Sequence, residues 1–289
     1  MAGHDLRFGI FPTPLAAQFG EILRLVELAD DLGLELVGIQ DHPYQRRFLD
    51  TFTLMPVLLA RTSRIAVFPD VANLPLRGAA MMAKAAASID VMFPGRFHLG
   101  IGAGGFLEAA AGLGVPRLSP GEAVDAFVEA MKVIRMLWSG DRGLRFDGRH
   151  YRLAGTHSGP VPPTDIEIWS GAGGRRMLEV TGRLCDGWIP SSGNVGPEEL
   201  EARNLIIDEG AVSAGRDPAE IRRLYNLSGR IGSGPSTGFL HGDQGHWIEE
   251  LTTLARENRI DSFILSLGEE AESQLRAFAE VADELRSRP

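Results

Sequence analysis

The sequence predicts an α/β fold in which parallel strands close into a (β/α)8 barrel. Strand and helix signals alternate from one end of the 289 residues to the other. The strand segments are short, rich in β-branched and aromatic residues, and bounded by Gly, Pro or Asp, as buried parallel strands are. No shift in composition marks a linker, so residues 1–289 read as a single domain. Repeated β–α units, about eight of them, favour closure over an open, doubly wound sheet, the alternative architecture.

The candidate strands are residues 7–11, 35–40, 64–68, 96–101, 166–170, 187–190, 222–228 and 262–266. Each is followed by a helical pattern. Residues 18–32 place Ile22, Leu25, Val26 and Leu28 along one face. Helices follow over 50–60, 79–92, 121–138, 174–184, 197–214, 245–256 and 269–286. Residues 139–165 are too long for a simple connection. Within them, Leu144 to Leu153 reads as a β-hairpin turning at Asp147-Gly148. The expectation is therefore a barrel with a hairpin-containing insertion after the fourth strand. The Gly- and Ser-rich residues 229–245 read as a mobile lid or as a plain surface loop.

Hydrophobic residues make up 44% of the chain and charged residues 23%, the balance of a soluble globular protein. The net charge is −9 and there is no basic block, which argues against nucleic acid and against an anionic membrane as partner. A small-molecule substrate is the expected partner. The single cysteine, Cys185, allows no disulfide framework and suits a reducing cytoplasm, with a buried, inert thiol. The segment Met1-Ala2-Gly3-His4-Asp5-Leu6-Arg7 lacks a signal-peptide pattern, and no apolar run is long enough to span a bilayer.

In a barrel of this kind chemistry sits at the C-terminal ends of the strands. Those ends read Phe11-Pro12-Thr13, Gln40-Asp41-His42, Phe68-Pro69-Asp70-Val71-Ala72-Asn73 and Gly102-Ala103-Gly104-Gly105. The later ones are Ser170-Gly171-Ala172-Gly173-Gly174, Pro190-Ser191-Ser192, Asn226-Leu227-Ser228 and Ser266-Leu267-Gly268. Small and polar residues collect there while the strand interiors stay apolar. The fifth end carries the strongest signal: glycines at 171, 173 and 174 run into a helix that opens with Arg175 and Arg176. Glycine permits close backbone approach, and a helix start offers free N–H groups and a positive dipole end to a phosphate. A phosphate-bearing cofactor is the first hypothesis; a tight strand-to-helix turn is the plain alternative.

Asp41-His42 is the leading proton-handling pair, because histidine titrates closest to neutrality. Adjacent strand residues point to opposite faces, which lets His42 face a ligand while its neighbour anchors the loop. Packing of His42 under Tyr44 is the alternative. The seven histidines show no metallohydrolase spacing, so no metal site is expected. A metal-dependent barrel hydrolase using Asp41 and His42 remains the rival class. Ser170 and Ser191 lack a nucleophile-elbow pattern. The glycines from Gly100 to Gly105 lack the acidic residue that a dinucleotide site needs; a flat ring or its phosphate tail fits them better. His98 lies within a strand and is expected to pack internally.

Four segments stand together in the order and spacing of one family. They are Ile39-Gln40-Asp41-His42-Pro43-Tyr44, Asn73-Leu74-Pro75-Leu76-Arg77, the run from Gly95 to Gly104, and residues 166–189. Over nearly its whole length the chain resembles the luciferase-like monooxygenase superfamily: bacterial luciferase and its flavin- or deazaflavin-dependent relatives. The resemblance implies a TIM barrel with an insertion after the fourth strand. It implies the deazaflavin coenzyme F420, favoured by the Asp41-His42 pattern, or FMN at the barrel mouth. The phosphate would lie against Gly173 and Gly174 beside Arg175 or Arg176. The ring would lie over the end of the third strand, where the family often carries a non-prolyl cis peptide, by position Asp70–Val71. Cofactor contacts then fall on Asp70, Val71, Asn73, Gly102, Ala103, Gly104, Gly171, Ala172, Gly173, Gly174, Arg175 and Ser191, with His42 and Asp41 as the catalytic pair. Arg46, Arg47, Arg77 and Arg176 are further cations for an anionic tail.

The implied activity is hydride transfer to, or oxygenation of, a small organic substrate, in a pocket shaped by Phe11, Tyr44, Phe106 and Trp188. A sugar-phosphate dehydrogenase subgroup of the family carries a glutamate after its Gly-x-Gly turn. Gly105 stands there, so that specific activity is not expected. Relatives commonly pair as homodimers through helices beside the second and third strands, with Met81, Met82 and Met92 as candidates here. A non-catalytic flavin-binding protein is the third reading.

Overall fold

The computed structural model describes residues 4–288. Its strands are β1 (Arg7–Phe11), β2 (Leu36–Ile39), β3 (Ala66–Pro69), β4 (Ala72–Asn73), β5 (Leu99–Gly102), β6 (Leu144–Asp147), β7 (Arg152–Thr156), β8 (Ile168–Ser170), β9 (Gly187–Trp188), β10 (Arg222–Leu227), β11 (Arg230–Ile231), β12 (His241–Gly242) and β13 (Ser262–Ser266). The helices are α1 (Phe19–Asp31), α2 (Thr51–Arg61), α3 (Leu74–Arg77), α4 (Ala79–Met92), α5 (Leu107–Ala111), α6 (Pro120–Trp138), α7 (Arg175–Leu184), α8 (Pro197–Ser213), α9 (Gln244–Glu257) and α10 (Ala271–Ser287).

Nine strands form one parallel sheet in the order β3-β2-β1-β13-β10-β9-β8-β5-β4. They make eight staves, because β3 and β4 are one stave interrupted at Asp70-Val71. The lower half pairs with β2 (Val37 with Val67) and the upper half with β5 (Asn73 with Gly102). Val67 closes the ring below the break: its N–H donates to Arg96 O (3.0 Å), and its carbonyl accepts from His98 N (3.1 Å).

Strand alternation divides the apolar residues into two layers. Leu36, Ala66, Phe68, Trp169, Ile189, Leu224 and Ile264 fill the barrel interior. Val37, Val67, Ile101, Ile168 and Trp188 point outward and pack under the helices in the larger core. His98 packs internally, stacked on Trp169 at 4.3 Å, and burial pushes its imidazole down to about 4. At the opposite end from the mouth, buried polar groups fasten the staves. Asp30 accepts from the amides of Ser63, Arg64 and Ile65, and Arg222 pairs with Asp261 at 2.9 Å.

One expectation needs correction. The β6–β7 hairpin exists, but its turn lies one step beyond Asp147-Gly148. Gly148 N donates to Tyr151 O, and the loop between them is held by Glu129 of α6. That carboxylate accepts from the amides of Arg149, His150 and Tyr151 at 2.8–3.0 Å, an anchor that a local turn signal does not encode. Residues 229–245 are tied down at their flanks. β11 pairs with β12, and Gln274 of α10 brackets Ile231, accepting from its N–H and donating to its carbonyl at 2.9 Å.

α7 and α8 pack with almost no space between their backbones. A Cβ on Gly182 would lie 2.0 Å from Ile207 O, and one on Gly210 would lie 2.4 Å from Glu179 O. Alanine improves helix propensity by about 0.5–1 kcal/mol over glycine, less than the roughly 1–3 kcal/mol cost of forcing an extra methyl into such a contact. Gly182→Ala is therefore expected to lower stability by about 1–2 kcal/mol in urea unfolding.

Candidate active site

The C-terminal ends of the staves surround a cavity of about 550 Å³. That is within the range of small-molecule sites, roughly 300–1,000 Å³. The structure brings Asp41, His42, Asp70, Val71, Asn73, Gly102, Ala103, Gly104, Gly171, Ala172, Gly173 and Ser191 to its wall. Gly174 and Arg175 lie outside it. Gly174 is the N-cap of α7, and Arg175 is 69% exposed and paired with Glu179 at 3.0 Å. Arg176 likewise pairs with Asp125 at 2.5 Å. Neither arginine lines the cavity: both side chains follow the solvent face of α7 toward acidic partners on neighbouring turns and helices.

The second stave's end separates the roles of its two polar residues. Asp41 is 1% exposed and its carboxylate is fully engaged. It accepts from Asn73 N (2.8 Å), Arg77 Nε (2.6 Å) and Arg77 Nη2 (2.5 Å). Arg77 also pairs with Asp50, the N-cap of α2, and lies 4.4 Å over the Phe52 ring. Arg77 is thus held between two carboxylates, and Asp41 borders the cavity with its carboxylate paired. His42 turns toward an aromatic group: its ring stacks on Tyr44 at 5.3 Å and meets the edge of Phe106 at 5.8 Å. The two readings of His42 are both realised, since it packs against Tyr44 and lines the cavity. Burial holds its imidazole below the ordinary histidine range, opposed by the Asp41 carboxylate, which raises it. A neutral imidazole at pH 7 accepts a proton.

The glycines serve two purposes. A Cβ on Gly102 or on Gly171 would lie 2.9 Å from Val71 Cγ2, so these two make room for a side chain of the third stave. Next to Gly173 and Gly174 there is nothing within 4 Å. Trp188 Nε1 donates to Ala172 O at 2.9 Å, and Arg203 Nη1 donates to Gly173 O. In a trans peptide the following N–H points opposite to the carbonyl. The amides of Gly173 and Gly174 therefore face away from Trp188 and Arg203, and they donate to no acceptor among the described residues. With the start of α7 they leave free N–H groups beside the positive end of a helix dipole, features that suit an anion. The Asp70–Val71 peptide is cis. Asn73 caps α3 through its side chain, which accepts from Leu76 N at 3.2 Å.

Sequence reasoning missed Met177, Ile189, Asn194 and Val195 in the wall, and Arg203 behind the glycine loop. Arg203 stands four residues after Glu199 and pairs with it, a spacing that reads as an ordinary surface helix pair. Trp188, expected in the pocket, points outward and supports the loop from behind. Among the described residues no three His, Cys, Asp or Glu side chains come together as a metal site, and no helix is long and apolar enough to cross a membrane.

A closed parallel barrel with a histidine and a glycine-rich helix start at one mouth is the setting in which the family match falls. The chain belongs to the luciferase-like monooxygenase family, whose profile matches residues 3–231. It is 34% identical to an F420-dependent glucose-6-phosphate dehydrogenase of Nocardia farcinica over 77% of this chain and 68% of that one. Its fold matches an F420-dependent secondary alcohol dehydrogenase in complex with an F420-acetone adduct, with TM-score 0.88, 18% identity and coverage of 98% and 100%. It also matches the oxygenating constituent of a Pseudomonas putida Baeyer–Villiger monooxygenase in complex with FMN, with TM-score 0.81, 14% identity and coverage of 100% and 99%.

Arg77 carries the electrostatics of the mouth, because it is the cation for the buried Asp41. Removing one partner of such a pair typically costs about 3–5 kcal/mol, less here because Arg77 is partly exposed. Arg77→Met is expected to lose roughly 2–3 kcal/mol in urea unfolding at pH 7.

Proposed function

We propose that this chain is an oxidoreductase that binds reduced coenzyme F420, or alternatively FMN, at the barrel mouth, for hydride transfer to or oxygenation of a small organic substrate. The observation that carries the reading is the pair of undonated amides at Gly173 and Gly174, at the start of α7 and at the edge of a cavity walled by His42. The residues present fit such a group. The amides and the α7 dipole suit its phosphate, and the unpartnered polar atoms of Asp70 and Asn226 suit a polar ring. The F420-dependent relatives at the 34% level support F420 over FMN. When bound, the cofactor supplies the redox chemistry, while the protein binds, orients and excludes water.

In this reading neutral His42 takes up the hydroxyl proton when an alcohol is oxidised, and in its protonated form it returns that proton to the substrate oxygen when a carbonyl is reduced. Asp41 is a positioning residue, holding the second and third staves' ends together through Asn73 N and Arg77. Val71, Ala103 and Ala172 shape the floor and sides. Phe11, Tyr44 and the 61%-exposed Phe106 give an apolar face for substrate. No Lys or Arg lines the cavity, and Gly105 occupies the place of the subgroup's glutamate. Both features favour an uncharged substrate over a sugar phosphate for this chain. Exposed Met81 and Met92 on α4, 69% and 56% accessible, support a homodimeric reading, whereas Met82 is part of the core. The lone, buried thiol of Cys185 agrees with a cytoplasmic one.

Two experiments test this reading. Gly173→Asp places a negative charge in open space beside the amides. It is expected to abolish binding of F420 and FMN in equilibrium titrations with Tm unchanged, and undiminished binding would remove the phosphate site. In the reverse direction, with oxidised F420 as acceptor and a secondary alcohol as hydride donor, kcat/KM is expected to fall on the acid side with a midpoint below the ordinary histidine value of about 6.5. His42→Gln is expected to lose roughly 100-fold at pH 7 and the acid limb with it. Cofactor binding without turnover in any such assay would favour the non-catalytic reading.

A further inference from the structure

The cavity floor holds a carboxyl group, Asp70, whose proton the reaction above does not use. Asp70 is partly buried and lines the cavity, its Oδ2 is shut off from solvent, and strand alternation places its side chain on the inner face of the barrel with Phe68. A Cβ on Gly38 would lie 3.0 Å from Asp70 Oδ2, 2.9 Å from the Phe68 ring and 3.1 Å from the Phe11 ring. The carboxyl is thus walled by the backbone of β2 and two phenyl rings. Its Oδ2 has no hydrogen-bond partner. The single polar side chain acting on it is Asn226 of β10, from across the barrel. Asn226 Oδ1 is also unpartnered, while its Nδ2 donates to Ser191 Oγ at 3.2 Å. No cation or other titratable group acts on Asp70, in contrast to Asp41 and its arginine.

A carboxylate withdrawn from water with no cation keeps its proton instead. Burial pushes Asp70 up to about 7, opposed only by Asn226. A neutral carboxylic acid is a hydrogen-bond donor, which a carboxylate is not.

We propose that Asp70 works as a neutral carboxylic acid in the cavity floor, positioning the bound cofactor ring by donating its proton to an acceptor atom of that ring, a carbonyl oxygen or an imine-type nitrogen. This rests on the reading of the cavity as a flavin-type site. Ionisation of Asp70 turns the donor into an acceptor that repels the ring atom. Affinity for the ring therefore falls about tenfold per pH unit once Asp70 ionises.

The proton is tested on cofactor-free protein. A carboxyl whose folded value is raised above its unfolded 3.8 gives stability that is complete below 3.8 and is lost as pH rises through 7. Asp70→Asn, uncharged and of equal size, is expected to gain several degrees of Tm relative to wild type between pH 4 and pH 8.5. A gap that stays constant, or moves the other way, overturns the proposal. The infrared carbonyl band of a protonated carboxylic acid, titrated in wild type, covers the case of a variant that does not fold; no such band disappearing near pH 7 is equally fatal. The ring contact is tested by titrating FMN and F420 from pH 6 to pH 9. Wild type is expected to weaken with pH while Asp70→Asn stays flat, and parallel slopes overturn the contact. Should wild type bind neither cofactor at any pH, the flavin-type site fails and the ring contact with it, while the Tm gap still decides the proton.

Discussion

Room for one side chain governs the mouth of this barrel. The third stave breaks after Pro69 and leans inward at Val71, against the neighbouring staves. A Cβ on Gly100 would sit 2.1 Å from Pro69 O, and Cβ atoms on Gly102 and Gly171 would sit 2.9 Å from Val71 Cγ2. Any larger residue at these places displaces the third stave, and the consequences spread. The upper half, β4, follows Val71 directly and pairs in register with β5. Asn73 N then reaches the Asp41 carboxylate, Arg77 follows on α3, and α2 is fixed through Asp50. The same seating turns the Asp70 side chain into the barrel. Packing at one valine therefore positions the anchor, the floor and the third side of the cavity together.

The electrostatics follow a second logic. The chain carries a net charge of −9, and the proposed anion at its mouth meets no free side-chain cation among the described residues. Arg77 is shared between two aspartates, Arg175 and Arg176 are paired on the surface, and Arg203 is engaged with Glu199 and Gly173 O. What remains is the backbone: amides whose carbonyls have been drawn backward by Trp188 and Arg203, at the positive end of α7. Such partial charges are fixed in direction and need no reorganisation, and they act best where the surroundings are apolar. Tight seating of α7 on α8 through Gly182 and Gly210 keeps that helix end where the fifth stave delivers it.

Much of this was legible in the chain itself. The alternation of short apolar strands with amphipathic helices determined the β–α rhythm, and β1, β13 and α4 fall on the expected residues. Knowing that strands end at His42, Asn73, Gly104, Gly173 and Ser191 was enough to gather most of the cavity wall, because a parallel barrel brings every strand end to one rim. Periodicity and punctuation are local properties, and local sequence carries them. The division of labour within Asp41-His42, the diversion of Arg77 to two carboxylates, the displaced hairpin turn on Glu129 and the facing of Asp70 by Asn226 were decided only by the tertiary structure. Each depends on which staves and helices come within hydrogen-bond reach after the ring closes, a distance that no spacing along the chain encodes.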